Sequence, residues 1–180
     1  TGVVKAAYLK QKEHYALPMR TYLEAAIDTF LPILNNFSKL EVVGEGLQIQ
    51  ILAKAAAPSA NTNIAKMITA LKKGTPLPNV LKGKTALAKP KKEEAPAPVI
   101  IDEEAVKSLS AKIAKPLFDV NIRLVASAMS LYRAEELLHN LTGSFQQFGA
   151  PQRNEFKTLQ PANPAKLVNQ TIFREYDPAQ

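Results

Sequence analysis

Two histidines, His14 and His139, are the first candidates for chemistry in this 180-residue chain. Glu135 and Glu136 precede His139 by about one helical turn, a spacing that can gather carboxylates and an imidazole around a metal ion. It is equally the spacing of an exposed polar helix face, and that reading is preferred. Asp102-Glu103-Glu104 has the carboxylates of an acid site, yet a helix start with negative charge in its first turn explains them better. Gly74-Thr75 and Gly83-Lys84-Thr85 repeat fragments of a phosphate-cradling loop. No complete G-x-x-x-x-G-K-[ST] pattern occurs, and neither fragment follows a strand. The absence of cysteine excludes disulfides, thiolate metal sites and thiol nucleophiles. Asn140-Leu141-Thr142 and Asn169-Gln170-Thr171 match the glycosylation triplet, but Leu141 belongs to an apolar helix face and no export signal is visible. The expectation is a segment with no catalytic, cofactor-binding or metal-binding residues.

Charge is the remaining lead. Lys plus Arg number 23 against 16 Asp plus Glu, a formal net charge of +7, and such an excess attracts nucleic acid or anionic membrane. Much of it lies in or beside one low-complexity stretch, at Lys72, Lys73, Lys82, Lys84, Lys89, Lys91 and Lys92, so it belongs to a tail-like segment rather than to a folded face. Weak phosphate contacts would fall to Lys82, Lys84, Lys89, Lys91 and Lys92, and to Arg123 on the outer face of a strand with Lys54 on its neighbour. A solvated sheet face accounts for Arg123 and Lys54 without a ligand. Aromatics and arginines are not interleaved as an RNA-binding sheet requires.

The elements that position these residues centre on Leu117 to Phe148. Val120, Ile122, Leu124 and Ala126 alternate with Asp119, Asn121 and Arg123, the pattern of a half-buried strand. Ser130 offers an N-cap. Leu131, Ala134, Leu138, Leu141, Phe145 and Phe148 then share one helix face, ended by Gly149 and Pro151. Earlier, Val3 to Leu9 reads as a first strand. Thr21 to Glu24 forms a capping box, opening a helix with Leu23, Ala26, Ile27, Phe30, Leu31, Leu34 and Phe37 on one face and a kink at Pro32. After a turn at Gly44 and Gly46, Leu47, Ile49, Ile51 and Ala53 alternate in a second strand. Asn61 to Lys73 is a short helix ended by Gly74.

Thr75 to Pro98, rich in alanine, proline and lysine, has little to bury and is expected to be a mobile linker. Asp102 caps a further helix carrying Ala105, Val106, Leu109 and Ile113. Gln152 to Leu159 is extended, and Ala165 to Tyr176 holds a helical turn or two. The predicted fold is α+β, a ferredoxin-like split βαβ sandwich with an antiparallel sheet and the two long helices on one face. Its divisions are a first half at 1–74, a linker insertion at 75–98 and a second half at 99–180. Loop closure cost grows slowly with length, so such an insertion is tolerable. Leu52 and Val125, among Gln48, Gln50, Asn121 and Arg123, give the second sheet face a mixed character suited to a protein interface.

Lys115 to Val125, Arg133 to Leu138, Ser144 to Phe148 and Gly44 to Leu52 together resemble the segment upstream of the motor domain in TraG-like type IV secretion ATPases of Gram-positive and candidate-phylum bacteria. The resemblance implies a place beside a hexameric motor at the cytoplasmic membrane that moves DNA or protein. It carries over no catalytic residue. From it follows the expectation of a non-catalytic accessory or assembly domain, cytoplasmic or at the cytoplasmic face of the membrane, with other subunits or domains of a secretion machine as partners. No small-molecule substrate or cofactor is expected, and membrane contact would come only through parts outside this segment. The alternative is a small nucleic-acid-binding module using the basic linker and the sheet face. The first residue is Thr1 and no signal stretch precedes the first periodic segment, which suggests a piece of a longer or processed protein.

Overall fold

The computed structural model describes residues 2–25, 28–41, 43–83, 101–150 and 153–180. Four strands, β1 (Val3–Gln11), β2 (Gly46–Ala55), β3 (Phe118–Ala128) and β4 (Phe156–Leu159), form one sheet in the order β2-β3-β1-β4. β1 runs antiparallel to both neighbours, with Ala7 opposite Leu124 and Leu9 opposite Thr158. An α+β antiparallel sheet with this order is the expected split βαβ arrangement. The described residues fall into two compact units. One holds the sheet and its covering elements, and the other comprises residues 14–18 and 55–118.

In the sheet unit, one face is covered by α6 (Leu131–Gly143) and the 3-10 turn Ser144–Phe148 that continues it. The Ser130 hydroxyl accepts from the Arg133 N–H at 3.2 Å, the predicted cap. Ala134, Leu138, Leu141 and Phe145 are buried as predicted, joined by Leu137, against Ala7, Leu9, Leu124 and Ala126. Leu131, at the start of the same helix, is exposed. The first helix departs from expectation. Among its described residues α1 (Tyr22–Ala25) and α2 (Leu31–Leu34) are helical, Asp28 to Phe30 are not, and a 3-10 turn follows at Phe37–Lys39. The cause is local: the Asp28 carboxylate accepts from the Phe30 N–H at 2.8 Å, a turn that competes with helix continuation. Pro32 therefore sits in the first turn of α2, where its missing N–H costs nothing, instead of kinking a longer helix. Ile33 anchors α2 in the same apolar cluster as Leu124.

The capping box is present in part. The Thr21 N–H donates to Glu24 Oε2 at 2.8 Å, while Glu24 Oε1 accepts from Arg153 at 2.8 Å. These contacts, the Arg153 bond first, pull the Glu24 carboxyl from its ordinary 4.5 to about 2.

The chain between β2 and β3 builds the second unit from α3 (Pro58–Lys72), α4 (Leu77–Leu81) and α5 (Glu103–Ile113). Ile64, Ile68 and Leu71 of α3, Val80 of α4, Ala105 and Leu109 of α5, and Ala16 and Leu17 form its core. The Asp102 carboxylate caps α5 by accepting from Ala105 N–H at 2.9 Å. Lys112 reaches back from α5 to the carbonyls of Tyr15 and Leu17 and fixes the 14–18 turn. The ends of the excursion meet where Ala56 N–H donates to the Leu117 carbonyl at 3.0 Å. Two expectations change here. Residues 75–83, expected in the linker, carry α4 with Val80 buried, because Leu77, Val80 and Leu81 supply apolar surface that the proline-rich composition conceals. The helix capped by Asp102 belongs with α3 and not with the second half of the sandwich. The remainder of the expected linker, 84–98, lies outside the described residues.

Leu124→Ala is expected to cost about 2–5 kcal/mol, since it empties a fully buried site. Val120→Ala, on the same strand but partly in water, should cost about 1 kcal/mol or less. Urea denaturation of both variants checks this, and equal losses would contradict the burial described. Glu24 should titrate near pH 2 by NMR. Its folded value lies below the unfolded one, so its contribution is complete above the ordinary carboxyl range and disappears as pH falls towards 2. Arg153→Ala should return the midpoint towards 4.5.

Candidate functional site

The second sheet face holds the most concentrated polar chemistry in the chain. Alternation along β3 points Asn121 and Arg123 away from α6, as predicted, but neither meets solvent: both are 0% exposed. α7 (Pro164–Ile172) and the residues after it lie across this face. The Asn163 side chain caps α7 by accepting from Lys166 N–H at 3.0 Å. Arg174 ends it in a left-handed conformation with φ 54°. Glu175 N–H donates to the Gln170 carbonyl at 2.9 Å and Arg174 N–H to the Thr171 carbonyl at 3.3 Å, closing the helix and turning the chain.

Arg123 is the hub. Its Nε donates to Gln180 Oε1 at 2.7 Å. Nη1 donates to Gln50 Oε1 at 3.1 Å and to the Gln170 carbonyl at 2.8 Å. Nη2 donates to the Glu175 carbonyl at 2.5 Å and more weakly to Asn121 Oδ1 at 3.5 Å. All of these acceptors are neutral. Burial lowers the guanidinium's affinity for its proton, and the more distant Asp177 and Glu175 charges oppose that shift. Asn121 holds the tail at both ends of one residue: its amide donates to the Asp177 carbonyl at 2.8 Å and its oxygen accepts from Asp177 N–H at 2.8 Å. Lys10 donates to the Ala179 carbonyl at 3.0 Å, and Gln50 donates to the Thr171 carbonyl at 2.7 Å. Lys54 lies 4.5 Å above the Tyr176 ring. The expectation of a solvated, outward Arg123 is thereby corrected, whereas Lys54 is exposed as expected. Arg123 spends its N–H groups inside the protein, and Lys54 rests on an aromatic ring. The mixed surface around Leu52 and Val125 is likewise covered in part, and both residues are only half exposed.

The opposite face offers apolar surface instead. Ile33 points inward from α2, leaving Phe30, Leu31 and Leu34 outward at 66%, 54% and 58% exposure. Spacings of three and four place Leu31 and Phe30 beside Leu34. Ile51 of β2 and Val120 of β3, both expected in the core, are also exposed on this side of the sheet. The neighbouring turn is held firmly. Arg133 meets Glu45 at 2.7 and 3.2 Å and the Lys39 carbonyl at 2.9 Å, and the Glu45 side chain is only 6% exposed. No periodicity in the sequence signals this pair.

The metal reading of His139 does not assemble. Glu136 pairs with Arg133 at 3.1 Å, and Glu135 pairs with Lys5 at 2.8 Å. Among the described residues no group of three or more His, Cys, Asp or Glu is gathered. His139, Lys5 and Glu135 border a groove of about 810 Å³ between α6 and the β1–β4 pair, floored by Leu9, Phe145 and Phe156. Burial, then the Lys112 charge, lowers the His14 pKa below its usual 6.5 and favours the neutral ring. Of the lysines expected to touch phosphates, Lys82 is exposed after α4, whereas Lys84, Lys89, Lys91 and Lys92 lie outside the described residues. No helix among the described residues is long and apolar enough to cross a membrane. No protein-family model, curated protein or solved structure matches the chain.

Arg123→Ala should lower stability by about 3–5 kcal/mol, since it strands buried acceptors. Arg123→Lys should still lose about 1–3 kcal/mol, because one ammonium cannot serve acceptors arranged around a planar fork. Hydrogen exchange of residues 175–180 should accelerate in both variants. Unchanged protection there would contradict the hub role.

Proposed function

We propose that this chain is a non-catalytic contact domain of a type IV secretion or conjugation ATPase assembly, docking onto protein neighbours through the face that carries α2. The observation that carries this reading is the outward apolar stripe Phe30, Leu31 and Leu34, on the same side of the sheet as exposed Ile51 and Val120. Large apolar side chains gathered on one side fit association with protein better than contact with water alone. The resemblance of the Lys115 to Val125 and Arg133 to Leu138 segments to pre-motor sequences supports the choice of partner. Nucleic-acid binding by the sheet face loses its main support, because Arg123 is enclosed.

Calorimetric titration of the chain against the purified motor ATPase of the same gene cluster tests the proposal. A complex is expected, and the double variant Phe30→Asp, Leu34→Asp should weaken it by at least about tenfold, since each buried apolar side chain contributes about 1.5–3 kcal/mol. DNA binding should be weak and lost at raised salt. Absence of a complex with the motor, or tight DNA binding that survives physiological salt, would reject the reading.

A further inference from the structure

We infer that two copies of this chain associate edge to edge, β2 pairing antiparallel with β2 of the second copy, so that two four-stranded sheets become one of eight strands.

The sheet order leaves β2 and β4 at the edges. β4 is four residues long, a short edge of the kind that resists further pairing. β2 is ten residues long, contains no proline and carries one charge, Lys54. Among the described residues no backbone hydrogen bond from outside the sheet reaches Gly46–Ala55. Its outward N–H and C=O groups therefore present a continuous pairing template.

The strand itself selects a second copy as the occupant. In antiparallel pairing about a two-fold axis normal to the sheet, opposed residues share a face, so odd positions meet odd positions. With the register centred on Gln50, Ile49 of one copy opposes Ile51 of the other and Leu47 opposes Ala53, so Ile51, 59% exposed in the single chain, leaves water. The lone Lys54 sits near one end of the strand. Registers centred near Gln50 place it beside the other copy's Gly46 or Gln48, so no like charges are opposed. An acidic or basic peptide would find no complementary charge row on this edge. The contact uses main-chain groups of β2 and not the α2 stripe, so it does not rest on the proposed function.

Sedimentation velocity of the 180-residue chain across about 1–300 μM should show a concentration-dependent monomer–dimer equilibrium. Ile51→Lys, at an exposed position, should weaken the dimer at least tenfold, and Leu34→Lys should leave it unchanged. Because the chain has no cysteine, Gln48→Cys accepts a single nitroxide, and pulsed EPR of the dimer should report an inter-copy distance within about 30 Å, given the rise per strand residue. A monomer throughout, a dimer indifferent to Ile51→Lys, a dimer weakened by Leu34→Lys, or the absence of that short distance would each overturn the edge pairing. Binding to the motor ATPase is measured separately, through the Phe30 and Leu34 variants, which leave the β2 edge intact.

Discussion

A buried cation without a contacting carboxylate governs the second layer of this fold. Removing a guanidinium from water is costly unless its N–H groups find acceptors. Arg123 meets that demand with the side-chain oxygens of Gln50, Asn121 and Gln180 and the carbonyls of Gln170 and Glu175. These acceptors come from β2, β3, the end of α7 and the tail. One side chain thus fixes four pieces of chain, and its directional bonds define where each must lie. The Asn121 clamp on Asp177 works the same way, through main-chain atoms of the tail. Apart from the Gln180 side chain, these contacts depend on the path of residues 175–180 rather than on their side chains.

The first face follows a different logic. Leu124, Ala126, Leu137, Leu141 and Phe145 form an apolar cluster whose contacts carry no directional bonds. On that face Phe30, Leu31, Leu34, Ile51 and Val120 stay exposed. The polar face is therefore committed to internal contacts, while apolar side chains remain available on the other. The proposed protein-contact role draws on this asymmetry, with the Glu45–Arg133 pair holding the turn after α2 against α6.

Periodicity located β2, β3 and α6 with little error, because apolar residues repeat along them at the period of the element; β1, with Lys5 between Val3 and Ala7, is legible only as a strand of low regularity. It failed where the deciding group was polar or single. Asp28 diverts the first helix through one side-chain bond, which no apolar count registers. Val80 buries α4 within a stretch whose prolines and lysines read as linker. Arg123 and Asn121 lie on the face that alternation assigned to them, yet alternation cannot tell solvent from a covering segment held by polar bonds. The covering residues, Glu175 to Gln180, have no apolar repeat to announce their role.

The helical excursion between β2 and β3 also bears on the order of folding. In an uninterrupted split βαβ sandwich these strands are joined by a tight turn and pair early. Here more than sixty residues separate Ala55 from Phe118, and closing a disordered loop of that size carries an entropic cost. The Ala56–Leu117 bond joins the two ends of the excursion. Once α3 and α5 have packed, that junction does the work of a turn, and β2 and β3 become neighbours along the folded path. Were the helical unit to form first, it would convert a distant strand pairing into a nearly local one.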